Sequence, residues 1–217
     1  MRTVESAQSA QRALLRMVER LRGQGIRDEK VLDAMVRVPR QRFVEPGLAF
    51  SAYDDTPLPI GYQQTISQPF VVARMIEVLR SGRELGRTLE VGAGCGYQAA
   101  VLSFLATEVY AVERIRPLLD RARENLRPFR LANLRLKCAD GSLGLPEAAP
   151  YDTIIVAAAA REVPLPLKEQ LAPGGRMMIP LGAQAEQQLI LVERHGNQYK
   201  ESRFEAVRFV PLLSGIE

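Results

Sequence analysis

Residues 87–103 read RTLEVGAGCGYQAAVLS. The segment RTLEVGAG predicts a strand that runs into a glycine-rich turn, and YQAAVLSFLA predicts a helix leaving it. Gly92, Ala93, Gly94 and Gly96 fall between the two. Glycines at such a turn permit a tight reversal and let a ligand come close to the backbone. The spacing is G-x-G-x-G, followed by Tyr97. A dinucleotide fingerprint needs G-x-G-x-x-G, so a nicotinamide enzyme fits poorly.

The pattern continues outward in both directions. Downstream, EVYAVE predicts a strand, RPLLDRARENL a helix and LRLKCAD a strand. YDTIIVAA, GRMMIPL, QQLILVER and VRFVPLL predict further strands, with LPLKEQLA a short helix and HGN a turn. Strands alternating with helices imply parallel βαβ units covered on both faces. Upstream, residues 6–24 carry Leu14, Leu15, Val18 and Leu21 at helical spacing. RDEKVLDAMVRV predicts a second helix with Asp28 as N-cap and Pro39 as its stop. Residues 44–66 have little periodicity and predict a long loop, of the kind that is usually functional in a compact domain. Pro69 suits a first helical turn, and the helix runs to about Arg80. The expectation is one α/β domain over residues 1–217. Its fold is Rossmann-like and doubly wound, mostly parallel, with an antiparallel C-terminal ending. Residues 1–80 supply N-terminal helices and an active-site loop, and 81–217 the ligand-binding core.

Three acids fall at strand ends facing the same crevice. Glu113 closes the strand EVYAVE, seventeen residues beyond Gly96, where a carboxylate accepts from two ribose hydroxyls. A surface acid paired with Arg114 or Arg116 is the alternative. Asp140 closes the next strand, placed to accept from an adenine amino group, and Gly141 leaves room for the ring. An Asp-Gly pair also suits a plain turn. Glu90 lies at the mouth of the crevice and suits a ligand with an amino group and a sulfonium. No phosphate-binding Lys-Ser/Thr pair accompanies the turn, which argues against ATP or GTP. An adenosyl ligand with positive charge and no phosphate fits, and S-adenosyl-L-methionine is such a ligand.

LEVGAGCGYQAAVLS, VYAVER and ADG resemble the class I S-adenosylmethionine-dependent methyltransferases. LPIGYQQTISQPFVVARM and the C-terminal VRFVPL are more specific, and AMVRVPRQRFV and LAPGGRMMIPLG add to them. Together they resemble the protein-L-isoaspartate O-methyltransferase family across essentially the whole chain. The resemblance implies methyl transfer to the free α-carboxylate of L-isoaspartyl residues in damaged proteins and peptides. The ester then closes to a succinimide, whose hydrolysis returns some aspartate. S-adenosyl-L-homocysteine is the product, and no metal is implied. Ser67 matches the family's active-site serine, and Gln64, Thr65 and Ile66 match the segment lining the cofactor and the reacting carboxylate. Ser67 is also placed to cap the helix that follows. Ala139, Ala160 and Arg161 depart from the family pattern close to the site.

The chemistry accounts for a lack of bases. A carboxylate ionises near pH 4, so at neutral pH it is a nucleophile without help. It needs orientation beside the methyl donor and exclusion of water. The lone histidine, His195, sits in ERHGN and reads as an exposed turn residue. Cys95 and Cys138 have no metal-ligand spacing. The net charge of +4 is spread along the chain, which favours solvated helix faces over a nucleic-acid footprint. A nucleic-acid methyltransferase is one alternative, but VAAAARE stands where a base-gripping Asn/Asp-Pro-Pro-aromatic segment belongs. A non-catalytic adenosyl- or isoaspartyl-binding module is the other. No apolar run reaches the roughly 20 residues of a membrane span, and no signal-peptide core is visible. A cytoplasmic protein acting on proteins, without nucleic acid or membrane, is therefore expected; nothing in the sequence fixes its oligomeric state, and a monomer is the expectation.

Overall fold

A computed structural model describes residues 2–183 and 186–217. Its centre is a seven-stranded sheet of order β5-β4-β3-β6-β7-β8-β9. The strands are β3 (Arg87–Val91), β4 (Glu108–Glu113), β5 (Leu134–Cys138), β6 (Tyr151–Val156), β7 (Leu171–Ala183), β8 (Glu186–His195) and β9 (Gln198–Val207). The first five pair in parallel, and β7, β8 and β9 pair antiparallel. Helices α4 (Tyr97–Ser103), α5 (Arg116–Leu126) and α6 (Leu165–Glu169) connect the parallel strands. The chain leaves β3 toward β4 on one side and returns to β6 on the other. The carboxyl ends of β3, β4 and β6 therefore border the switch point where open α/β sheets bind ligands.

Helices α1 (Arg2–Gly23), α2 (Glu29–Arg37) and α3 (Pro69–Arg80) pack on one another beside this sheet. On α1 the buried stripe is Leu14, Met17, Val18 and Leu21, while Leu15 is 48 % exposed. The i, i+3, i+4, i+7 set starting at Leu14 includes Met17 and leaves out Leu15, so the expected stripe was off by one position. Asp28 caps α2 as expected, accepting from the Lys30 and Val31 N–H groups.

The expected loop over 44–66 holds a small hairpin. Strands β1 (Leu58–Gly61) and β2 (Gln64–Ile66) pair antiparallel. Their two-residue tip, Tyr62–Gln63, has φ of 52° and 57°. That is the backbone of a type I′ turn, which usually announces itself with Asn-Gly. Here it carries neither residue, so the sequence gives no hairpin signal.

The expected strand VRFVPLL is also corrected, since β9 ends at its first residue, Val207. The strand itself is QYKESRFEAV, a charged edge strand whose polarity guards against edge pairing. The apolar stretch after it leaves the sheet. Gln187 clamps Phe209, with its amide donating to the Phe209 carbonyl and accepting from the Phe209 N–H. Beyond that point Val210 and Leu212 bond to Ala159, which draws the segment across the end of β6.

Helix α3 begins at Pro69, and its free N-terminus is satisfied from outside. Asp55 accepts from the Phe70 N–H at 2.9 Å. Ser67 does not cap it. Replacing Asp55 with alanine is expected to cost about 1 kcal/mol of stability. Urea unfolding measures this, and a midpoint equal to the parent's would show that the carboxylate does not cap α3.

Candidate active site

The glycine turn after β3 closes on the end of β4. Gly92 and Ala93 both donate their N–H groups to the Val112 carbonyl, at 2.9 and 3.0 Å. Glu113, only 6 % exposed, then faces the turn. Its Oε2 accepts from the Gly94 N–H at 2.8 Å, and its Oε1 from the Ile115 N–H at 3.0 Å. Arg114 pairs with Glu217 at 2.8 Å, so the surface ion pair considered for Glu113 is not formed. A carboxylate has about four lone-pair sites, so each Glu113 oxygen keeps one for a ligand hydroxyl.

Glu90 is fully buried on β3. Its Oε1 accepts from the Gln98 amide at 3.0 Å, and its Oε2 has no partner among the described residues. Burial pushes this carboxyl well above the usual range, the Gln98 bond opposes that, and the Glu113 charge adds to it. An orphaned buried acceptor of this kind fits a ligand that brings a donor or a positive charge.

These groups line one enclosed pocket. Glu90, Gly92, Ala93, Gly94 and Glu113 form one side of it, with Gly141. Gln64, Thr65, Ile66 and Ser67, from the hairpin and the link to α3, line the other. Val210, Pro211, Leu212 and Leu213 close it. The C-terminal segment is thus apolar because it walls the pocket, not because it is a strand.

Two expected residues are placed differently. Gly96 starts α4 with φ of 89°, and a Cβ there would meet Leu126 Cδ1 at 2.8 Å. It keeps α4 close to α5 and does not face the pocket. Asp140 is also off the pocket wall. Its Oδ1 accepts from the Ser142 N–H and hydroxyl, and its Oδ2 from the Gly215 N–H at 2.6 Å. Burial alone would raise the Asp140 carboxyl, but the Gly215 and Ser142 donors hold it below the usual carboxylate range. Beneath the pocket, Gly141 lies so near β3 that a Cβ would come within 2.5 Å of Val91 Cγ1.

A second, roomier cavity of about 390 Å³ runs beside the pocket, between α3 and the end of β9. Phe70, Val71, Leu189 and Phe209 give it apolar walls, with Arg74, Glu205 and Arg208 supplying charge. Pocket and cavity share Thr65, Ser67, Ala157 and Val210. Ala160 and Arg161 line neither, since Ala160 bonds to Pro180 and Gly182 of β7 and Arg161 is exposed. Ala139 donates to the Glu113 carbonyl. His195 ends β8, exposed. Sequence reasoning missed Gln98 and the tail segment. Gln98 belongs to an ordinary helix start, and nothing in its neighbours distinguishes it.

A doubly wound parallel sheet with this turn, a strand-end acid facing it and an enclosed pocket at the switch point defines a class I S-adenosylmethionine-dependent methyltransferase. Residues 12–217 match the family described as Protein-L-isoaspartate(D-aspartate) O-methyltransferase. The chain is 76 % identical to the protein-L-isoaspartate O-methyltransferase of Aromatoleum aromaticum, over 100 % of this chain and 99 % of that one. A solved structure titled protein-L-isoaspartate O-methyltransferase is similar at 27 % identity and a TM-score of 0.82, over 94 % of this chain and 67 % of that one. A Plasmodium falciparum protein of the same description, solved in complex with S-adenosyl-L-homocysteine, is similar at 27 % identity and a TM-score of 0.76. That match covers 91 % of this chain and 96 % of the other. The chain belongs to the protein-L-isoaspartate O-methyltransferase family. No helix among the described residues is long and apolar enough to cross a membrane.

Proposed function

We propose that the chain transfers a methyl group from S-adenosyl-L-methionine to the free α-carboxylate of L-isoaspartyl residues in damaged proteins and peptides. The observation that carries this reading is the junction at Ser67, which lines both the pocket at the glycine turn and the larger cavity beside it. Methyl transfer needs a buried donor and an accessible acceptor in line with each other. The larger cavity, about 390 Å³, has room for an acceptor side chain, and both are walled enough to limit water around the reacting atoms.

The residues present fit the cofactor. The orphaned Glu90 Oε2 would hold its amino group, and Glu113 its ribose hydroxyls. When bound, the cofactor supplies an electrophilic methyl group on a sulfonium. Gln64, Thr65 and Ile66 face the pocket from the hairpin, opposite the glycine turn. Asp140 fits an adenine amino group only if it shares Oδ2 with, or takes it from, the Gly215 N–H. Ser67, half-buried and free of the helix cap, would donate its hydroxyl to the substrate carboxylate and orient it. No base is required, because the nucleophile is already ionised.

The reading extends to a cytoplasmic monomer that does not act on nucleic acid. Its support is that many arginines are spent on ion pairs, such as Arg80–Asp28 at 2.8 Å, Arg87–Glu108 at 2.9 Å and Arg176–Glu193 at 3.0 Å. Arginines paired in this way add little to a field that would attract nucleic acid.

Labelled methyl transfer to an L-isoaspartyl peptide, its aspartyl twin and tRNA tests the activity. Base-labile label on the isoaspartyl peptide alone is expected. Label on tRNA, or none on any substrate while the cofactor binds, would overturn it. Ser67→Ala is expected to lower kcat about fivefold to tenfold, the scale of one hydrogen bond, with Kd for S-adenosyl-L-homocysteine within twofold of the parent. Equal losses in both would put Ser67 in the cofactor site instead.

A further inference from the structure

Arg40 is the bulkiest side chain in the described structure that is wholly removed from solvent. It opens the short 3-10 turn Arg40–Phe43, between α2 and the hairpin. Its Nε donates to the Ala52 carbonyl at 2.8 Å. Neither Nη1 nor Nη2 has a hydrogen-bond partner among the described residues. Burial pushes the Arg40 guanidinium below its usual range, while the neighbouring Tyr97 hydroxyl, itself buried without a partner among the described residues, and the more distant Asp55 favour its charged form. The Asp55 oxygens, however, are already engaged by the Phe70 N–H and the Gln24 and Gln68 amides. A buried cation with two of its three nitrogens unsatisfied carries a large desolvation cost, and an apolar side chain of the same volume would not. Packing alone therefore gives no reason for an arginine here.

The guanidinium does have one further contact. Its carbon lies over the ring of Tyr97, 4.9 Å from the centroid, within the range of a cation–π interaction. Phe43, from the same 3-10 turn, meets that ring edge-on at 5.5 Å. Tyr97 is 1 % exposed, lines the pocket and directly follows Gly96. Gly94, two residues before Gly96, donates the N–H that holds Glu113. Arg40 thus fixes the downstream end of the glycine turn through the Tyr97 ring, while its Nε anchors it to the loop ahead of the hairpin.

We propose that Arg40 is a positioning residue for the cofactor: by pinning Tyr97 it holds the Gly92–Gly96 turn in its binding shape. The proposal rests on reading that turn as the cofactor cradle. Three readouts on the full chain test it: Kd for S-adenosyl-L-homocysteine by calorimetry, KM for an isoaspartyl peptide at saturating cofactor, and Tm. Arg40→Met removes the charge and keeps the volume. It is expected to hold Tm within about 2 °C, since apolar replacement of a buried ion is often neutral. Its Kd is expected to rise about tenfold and its peptide KM to stay within twofold. Arg40→Lys keeps a cation near the ring but loses the planar fork, and is expected to raise Kd about threefold at unchanged Tm. An Arg40→Met chain that binds like the parent would overturn the proposal. So would losses of affinity that follow losses of Tm across the two variants, which would make Arg40 a packing residue. If Arg40→Met cannot be recovered folded, Arg40→Lys decides alone: a threefold weaker Kd at parental Tm supports the proposal, and a parental Kd overturns it. Glu113→Ala serves as control. If it too binds like the parent, the cradle reading has failed; if only the Arg40 variants do, the positioning role has.

Discussion

Glu113→Ala is expected to raise the Kd for S-adenosyl-L-homocysteine about 10- to 150-fold. The reason lies in how the side chain is held. Both oxygens accept a backbone N–H, from Gly94 and from Ile115, so the carboxylate is locked in place before any ligand arrives. Its remaining lone pairs are then presented without further loss of rotamer freedom. Charge-assisted hydrogen bonds of this kind contribute about 1.5–3 kcal/mol, which at about 1.4 kcal/mol per tenfold gives that range. The deletion also frees the Gly94 N–H, so the turn loses one of its ties to β4 and keeps the two at the Val112 carbonyl. Calorimetric titration measures the effect, with Tm recorded alongside. A Kd within twofold of the parent would show that the acid holds the loop and does not touch the ribose.

Glu113 was legible in the sequence because its cue is local, an acid closing the second strand of a βαβ unit. The glycine turn was legible for the same reason. What stayed hidden depends on contacts between residues far apart in the chain. Asp55 caps α3 from 15 positions upstream, and Gly215 reaches Asp140 across 75. The hairpin tip at Tyr62 and Gln63 uses left-handed backbone without the residues that usually mark it. The charged strand β9 and the apolar tail after it exchange the appearance expected of each, because one is a solvated edge and the other walls a pocket. Arg40 is buried although arginine predicts a surface position. In each case burial or long-range pairing outweighed local preference. Residues 58–67 show both sides: the family resemblance marked Ser67, and the structure adds the hairpin that brings Gln64–Ile66 to the pocket.

Glu90 gives the sharpest separation of stability from binding. Its Oε2 is buried without a partner among the described residues, and burial raises its carboxyl well above the ordinary value. The folded chain therefore holds a proton that the unfolded chain releases near pH 4.5. Stability should be undiminished by this group below that pH, and should fall as pH rises toward its folded pKa. Glu90→Gln keeps the shape, has no charge to bury, and keeps an amide oxygen to accept from Gln98. It is expected to raise Tm at pH 7 and to change it little at pH 4. With a cofactor the order reverses. The parent acid ionises against the ligand's amino group and the amide does not, so Kd for S-adenosyl-L-homocysteine should rise about 10- to 100-fold, the scale of a lost charge-assisted bond. Tightening of that Kd as pH rises toward the folded pKa should also be steeper in the parent than in the variant, because binding releases the Glu90 proton. Scanning calorimetry at the two pH values and titrations at rising pH check both halves. A variant less stable than the parent at pH 7 would mean that Glu90 finds its donor within the chain. Binding equal to the parent's would mean that the orphaned oxygen serves something other than the cofactor.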